Sequence, residues 1–331
     1  MYKEIISKLL SKKNLEPEEV KNLFAGIIEK KFSEIESSAL LTALSMKGFS
    51  VEEIVGAVKV LMKFAKTFKA TDALDNCGTG GSGLPRFNVY TAASFVLAAG
   101  GVKIAKHGNR GMSGRVGSFD ILENLEIKFD YNTEETEAAF KKYGLVFLLA
   151  PNFHPAMGNV ALIRKGLGFK TIFNILGPLL NPGQAENQVL GVSNLGDANV
   201  IAEALINLGR KRFMVVYGEG LDEITLCGKT KVFEYLGSSL NKYEISPEDF
   251  GLEAVEFREI AGGNLEENTR KTESILKGEE NSPLSDMVAL NAAAGFYLMS
   301  KEKSISDGFE KAREIISSGE AWKLILKLQE A

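Results

Sequence analysis

Asp75-Asn76-Cys77-Gly78-Thr79-Gly80-Gly81-Ser82-Gly83 is the stretch on which the fold turns. It reads as the end of a strand followed by four glycines in six residues, Gly78 to Gly83, with a helix opening at about Asn88. Just beyond, Val102-Lys103-Ile104-Ala105 reads as a buried strand. Strand, glycine loop, helix and strand again is the unit of an α/β domain with a mainly parallel sheet. Further apolar runs extend it. Residues 145–149 and 213–217 read as buried strands, and residues 91–99 and 198–208 as helices between strands. Residues 223–235 alternate around Gly228-Lys229, which reads as a hairpin near the end of the sheet. Residues 174–183, with Pro178 and Pro182, read as a rigid connector.

Before Lys69 the texture is different, and helices alone are expected. Val20, Leu23, Phe24, Ile27 and Ile28 form an apolar stripe, with Pro17 where a first helical turn tolerates it. Ser33-Glu34-Ile35-Glu36 and Ser50-Val51-Glu52-Glu53 are capping boxes. Short links such as Lys47-Gly48-Phe49 make the helices antiparallel neighbours.

The chain has 331 residues, 45% hydrophobic and 25% charged, which suits one large or two ordinary globular domains. Its 39 Lys and Arg against 43 Asp and Glu give a net charge of −4, which argues against nucleic acid as the main partner. Cys77 and Cys227 lack metal-ligand spacing and read as reduced thiols of a cytoplasmic protein. The longest uncharged apolar run, residues 89–102, is too short to span a bilayer, so no membrane association is expected. Met1-Tyr2-Lys3-Glu4 mixes charges early and reads as helical, not as a secretory signal.

Four constellations carry chemistry. The glycine run lets successive N–H groups converge on phosphate oxygens, and the following helix adds its positive N-terminal end. The run also spells G-x-G-x-x-G through Gly78, Gly80 and Gly83, the fingerprint of a dinucleotide site. That site wants an acidic residue after the next strand, where this chain has Lys106-His107-Gly108-Asn109-Arg110. This second segment continues through Gly111, Met112, Ser113, Gly114, Arg115 and Gly117 to Ser118. It combines cations, an imidazole, an amide and hydroxyls in a flexible loop able to wrap a polyanion. Third, Asp222-Glu223 on a loop after a strand is a candidate Mg²⁺ pair, since Mg²⁺ takes one or two carboxylates plus water and substrate phosphates. Fourth, Pro151-Asn152-Phe153-His154-Pro155 precedes a helix carrying Arg164. Its His154 reads as a structural turn group, and Arg164 either forks onto a substrate carboxylate or sits in a surface ion pair.

Together these segments resemble the anthranilate phosphoribosyltransferase family, the tryptophan-pathway branch of the nucleoside-phosphorylase-like phosphoribosyltransferases. The resemblance runs through the N-terminal helices, Gly78-Thr79-Gly80-Gly81, Asn88, Thr91, residues 106–110, Ser113 and Gly117-Ser118. It continues through residues 154–157, Arg164, residues 171–182, residues 188–192 and residues 220–224. It implies a small N-terminal helical bundle domain, residues 1–69 completed by about 164–185. It also implies a larger α/β domain, residues 70–163 and 186–331, with the active site in the hinge and a homodimer through the helical domain. The implied reaction moves the phosphoribosyl group of phosphoribosyl pyrophosphate to the amino group of anthranilate, releasing pyrophosphate. By the resemblance, the donor is held by Gly78, Thr79, Gly80, Gly81, Ser82, Arg86, Asn88, Val89, Tyr90 and Thr91. Lys106, His107, Gly108, Asn109, Arg110, Gly111, Met112, Ser113, Gly114 and Ser118 complete that set. Gly78, Asn109 and Arg164 orient anthranilate, and Asp222 and Glu223 bind Mg²⁺. No residue is assigned as acid or base, because a neutral aromatic amine loses its proton readily once bonded to carbon, and positioning carries the rate.

Two residues depart from the family pattern. Ser82 stands where the glycine run usually ends in Asp, and Tyr90 stands where the family has a small Ser that touches the metal. A phenol oxygen lies too far from its Cβ to replace that Ser in kind. Both changes fall on the donor and metal side, while Asn109 and Arg164 are intact. They leave open a diverged member with another aromatic acceptor, or a non-catalytic paralogue that binds a ligand or nucleic acid.

Overall fold

Capping lays out the N-terminal helices. In this computed structural model, which describes residues 1–80, 83–111 and 116–330, they are α1 (Tyr2–Leu10), α2 (Pro17–Ile28), α3 (Glu34–Lys47) and α4 (Val51–Met62). Both capping boxes read from the sequence form. Ser33 and Glu36 exchange side-chain-to-backbone hydrogen bonds at 2.9 and 3.2 Å, and Ser50 and Glu53 do the same. The expected apolar stripe on α2 is buried. Gly56 on α4 lets α2 approach, because a Cβ there would lie 2.8 Å from Val20 Cγ1. Glu53 does more than cap. It is fully buried, pairs with Lys47 at 2.7 Å and accepts the Leu15 N–H at 3.0 Å. One carboxylate thus ties α3, α4 and the link between α1 and α2.

The rest of the chain alternates strands and helices. First come β1 (Leu74–Gly78), α5 (Val89–Ala99), β2 (Ile104–Gly108), α6 (Ser118–Asn124), α7 (Thr133–Tyr143) and β3 (Leu145–Leu149). Three helices follow, α8 (Ala150–Phe153), α9 (Gly158–Leu167) and α10 (Ile172–Leu176). Then come β4 (Asn187–Gly191), α11 (Leu195–Asn207), β5 (Arg212–Tyr217), β6 (Thr230–Tyr235) and β7 (Leu240–Ile245). The chain ends with α12 (Phe257–Ile260), α13 (Leu265–Leu276), α14 (Pro283–Leu298), α15 (Ile305–Ser317) and α16 (Glu320–Gln329).

The described strands form one sheet of order β3-β2-β1-β4-β5-β6-β7. β1 to β5 run parallel, and β6 and β7 are antiparallel additions. The sheet is buried on both faces, as a parallel sheet requires. Val189, Met214 and Val216 face a cluster built from α5, α13, α14 and α15, and Leu190, Phe213 and Val215 face α11 and the N-terminal helices. Val160, Ile163, Ile172 and Phe173 of α9 and α10 join that second cluster. The strand order reverses between β1 and β4. Their carboxyl ends, Gly78 and Gly191, are paired in register there, and open α/β sheets bind ligands at such a crevice.

One local expectation needs correction, and another gains detail. The hairpin lies between β6 and β7, across residues 236–239, and not around Gly228-Lys229. The backbone of the supposed first arm is engaged by side chains instead: Asn291 bonds both N–H and C=O of Ile224, and Thr230 Oγ accepts the Thr225 N–H at 3.1 Å. Residues 174–183 are partly helical, since α10 runs to Leu176 and a 3₁₀ turn spans Gly177–Leu179. The Thr171 N–H bonds Asn174 Oδ1 at 3.0 Å and starts that turn, while Pro178 sits early enough in the 3₁₀ segment to be tolerated.

Replacing Glu53 by Ala should remove about 3 kcal/mol of stability, because Lys47 is left buried and unpaired. Urea unfolding followed by circular dichroism checks this, and a loss below about 1 kcal/mol would make the pair no better than an exposed one.

Candidate active site

The crevice floor depends on two missing side chains. A Cβ on Gly78 would come within 2.1 Å of Asp222 Oδ2, and one on Gly191 within 1.6 Å of the Asp222 carbonyl oxygen. Glycine at both strand ends therefore lets the loop after β5 drop into the crevice. The Gly80 N–H, at a φ of +68° that favours glycine, donates to Asp222 Oδ2 at 2.6 Å. Asn291 of α14 clamps the next peptide, accepting the Ile224 N–H at 3.0 Å and donating to its carbonyl at 2.8 Å. The Arg86 guanidinium pairs with Asp222 and lies 3.4 Å from Glu223 Oε1. Burial raises the Glu223 carboxyl above its ordinary value, with Arg86 and then Lys106 opposing.

Above this floor lies a cavity of about 800 Å³. One wall is the N-terminus of α5. Asn76 of β1 anchors that turn, donating to the Tyr90 carbonyl at 3.0 Å and accepting from Ser94 Oγ at 2.8 Å. Asn88 makes no side-chain cap; its Nδ2 reaches Val116 O at 3.2 Å, and the first turn holds no acid. The positive end of α5 is thus open toward the cavity, the arrangement that attracts anions. β2 supplies Lys106 to one side and His107 to the other, as strand alternation dictates. Lys106 Nζ is buried, donates to the Asn76 carbonyl and lies 5.6 Å from the Tyr90 ring centroid. Burial lowers its pKa, opposed by Cys77, Asp75 and Glu223.

The His107 ring lies 5.4 Å from that of His154, tilted by 54°, and its Nε2 has no hydrogen-bond partner among the described residues. Burial foremost, then the second imidazole, push it down to about 3, so it is neutral. His154 bonds the Leu180 carbonyl at 2.8 Å, the structural role expected of it. The Tyr90 hydroxyl is buried without a described partner, and a Cβ on Gly191 would lie 2.8 Å from it. Burial, then the Glu223 charge, keep the phenol protonated.

Of the residues singled out by sequence, Gly78, Gly80, Arg86, Asn88, Val89, Tyr90, Thr91, Lys106, His107, Gly108, Asn109, Ser118, Asp222 and Glu223 line this cavity. Gly81, Ser82, Met112, Ser113 and Gly114 lie outside the described residues. Thr79 sits at the strand end, its N–H bonded to Gly191 O at 2.9 Å. The Arg110 guanidinium turns to Glu123 and lies 5.7 Å from the Phe129 ring, away from the cavity. The Gly111 N–H bonds Asp120 at 2.7 Å. Arg164 lies 5.6 Å over Phe173, apart from the cavity lining, and has no ion pair among the described residues.

Sequence reasoning missed several parts. Asp120 also accepts the Gly117 N–H at 2.8 Å and so holds both ends of the second loop; an acid three residues after Gly117 was the available signal. Gly263, Asn264 and Leu265 close the cavity from a segment with no motif. Asn268 behind them is fully buried and donates to Arg86 O at 3.2 Å. Asn291 was visible as one amide within the apolar run of residues 287–296.

Comparison with known proteins agrees with this fold. Residues 3–65 match the model of a glycosyl transferase family helical bundle domain, and residues 70–322 that of a glycosyl transferase family a/b domain. The anthranilate phosphoribosyltransferase of Persephonella marina is 42% identical over 100% of this chain and 98% of its own length. The crystal structure of anthranilate phosphoribosyltransferase from Thermus thermophilus superposes with a TM-score of 0.92 at 40% identity, covering 99% of each chain. The Saccharomyces cerevisiae anthranilate phosphoribosyltransferase in complex with phosphoribosyl pyrophosphate and Mg gives 0.89 at 31% identity, over 99% of this chain and 97% of that one.

The neutral His107 links stability to pH. Its pKa falls from 6.5 to about 3 on folding, so the unfolded chain alone takes up this proton as pH drops below 6.5. Stability contributed above that pH is lost on acidification, by about 2 kcal/mol at pH 5. Urea unfolding of wild type and His107→Gln at pH 8 and pH 5 should show a shallower loss in the variant; equal losses would place the proton elsewhere.

Proposed function

The chain belongs to the anthranilate phosphoribosyltransferase family, and on that footing we propose that it transfers the phosphoribosyl group of phosphoribosyl pyrophosphate to the amino group of anthranilate. One observation carries the reading: a buried carboxylate pair, an uncapped helix N-terminus and a buried lysine converge on one cavity at the sheet's switch point. That is a polyanion site with a place for a divalent cation.

The donor set suits Mg²⁺. Glu223 Oε2 is buried without a hydrogen-bond partner among the described residues, and carboxylate oxygens are hard ligands. The described residues hold no group of three or more His, Cys, Asp or Glu able to bind a metal. Asp222 and Glu223 would therefore hold the ion together with water and donor phosphates, the mode Mg²⁺ prefers. When bound, Mg²⁺ offsets the negative charge that grows on the leaving pyrophosphate.

The chain's own groups do the rest. Open N–H groups at the start of α5 bind phosphate oxygens, and Lys106 adds charge in a low-dielectric wall. Tyr90 carries its phenol past Gly191 to the same wall as Asp222 and Glu223, where its bulk replaces the small hydroxyl of the family pattern. Gly78 and Asn109 bound the acceptor side of the cavity. Arg164, half-buried and without a described carboxylate partner, is the group suited to fork onto the acceptor carboxylate as the cleft closes. His107 stays neutral and needs to move no proton.

We take the helical unit as residues 1–69 with a segment that returns near residue 158, and the α/β unit as residues 70–157 and 186–331, because α9 packs as one rod against α2 and α3. Leu10, Ile35, Met46 and Leu162 are exposed apolar residues on these helices, and a second copy would cover them in a homodimer. No described helix is long and apolar enough to cross a membrane, and both cysteines are free, which suits the cytoplasm.

The deciding assay follows anthranilate fluorescence with phosphoribosyl pyrophosphate and Mg²⁺. Loss of signal with release of pyrophosphate is expected, and none at saturating substrates would refute the reading. Arg164→Ala should raise the KM for anthranilate by about 10-fold or more, the worth of a charged hydrogen bond. An unchanged KM would remove Arg164 from this role.

A further inference from the structure

We infer that Arg86 is a built-in counter-cation that holds the Asp222–Glu223 pair until metal and donor arrive, and then moves to grip the donor's phosphates. This rests on the proposed donor and metal site and adds to it an exchange of partners.

The geometry forces a competition. Asp222 Oδ2 is taken by the Gly80 N–H at 2.6 Å, so Oδ1 is the oxygen left for a cation. That is the atom the Arg86 guanidinium touches, and the same fork reaches Glu223 Oε1 at 3.4 Å. Two buried carboxylates side by side demand a positive charge, and an uncompensated pair would be strongly destabilising. A guanidinium against Asp222 Oδ1 and a divalent cation on the same carboxylate repel each other at close range, so each weakens the binding of the other.

The backbone shows what moves. Pro85 O accepts the Gly262 N–H at 3.2 Å, and Arg86 O accepts Asn268 Nδ2 at 3.2 Å. Arg86 also forms an antiparallel bridge with Ala261. The main chain at position 86 is thus tied to the segment at 261–268 by these contacts, which leaves the side chain as the part able to swing. It lines the same cavity, and its Nη2 lies 3.9 Å from the point where a Gly80 Cβ would stand, next to the phosphate-binding loop. A fork released from the carboxylates there meets phosphate oxygens, the partners whose geometry it matches. Metal alone must then expel Arg86 with nothing to receive it, and donor alone finds Arg86 occupied. The two ligands bind with mutual reinforcement.

Arg86→Gln separates this from a structural role by opposite signs. Mn²⁺, titrated without donor and read by electron paramagnetic resonance, should bind about 10-fold more tightly to the variant, since its competitor is gone. Phosphoribosyl pyrophosphate, titrated calorimetrically at saturating Mg²⁺, should bind about 10-fold more weakly, since a phosphate partner is gone. Both affinities falling together, or an unchanged Mn²⁺ affinity, would overturn the inference. Should the Gln variant fail to fold, Arg86→Met is read by the same signs, because it keeps an unbranched stem of similar length and removes the charge that competes with the metal. Wild type tests the underlying reading independently: no donor binding there refutes the site, whereas donor binding with same-sign shifts refutes only the exchange.

Discussion

The bond from the Gly80 N–H to the Asp222 carboxylate is the contact around which the site is arranged. It brings a buried acid to a loop built to receive anions. That placement works only because nothing projects from Gly78 or Gly191 and because Asn291 holds the following peptide. Two acids and two cations, Asp222, Glu223, Arg86 and Lys106, then lie around one cavity with the polar end of α5. Charges so placed are already desolvated, so a charged ligand meets fixed dipoles and not water.

Much of this was readable from residues. The four-glycine run, the β-branched segments and the capping boxes each have a local cause, and local causes survive folding. What escaped reading depends on partners distant in sequence. The alternation from Glu223 looks like a strand, yet its hydrogen bonds go to Asn291 and Thr230. The segment at 261–268 carries no motif; it matters because Asn268 and Gly262 hold the backbone at 85–86. Arg110 and Arg86 are both basic residues near glycine loops, and sequence could not say that one pairs outward with Glu123 while the other pairs inward with Asp222.

The titration of the cavity walls fits chemistry that needs no proton shuttle. His107 is held neutral, the Tyr90 phenol is held protonated, and Lys106 is committed to a backbone carbonyl. Neither the imidazole nor the phenol is poised as a base near neutral pH. The arrangement favours holding, orienting and charge compensation, which is what departure of a pyrophosphate from a ribose carbon demands.

The Gly80–Asp222 contact joins residues 142 positions apart, and the Asn268 hold on Arg86 joins residues 182 apart. Closing loops over such spans costs entropy that only the finished contacts repay. During synthesis, the anion-binding loops emerge long before their acidic floor. A nascent chain therefore carries half a pocket until Asp222 and the helices that hold it have been made.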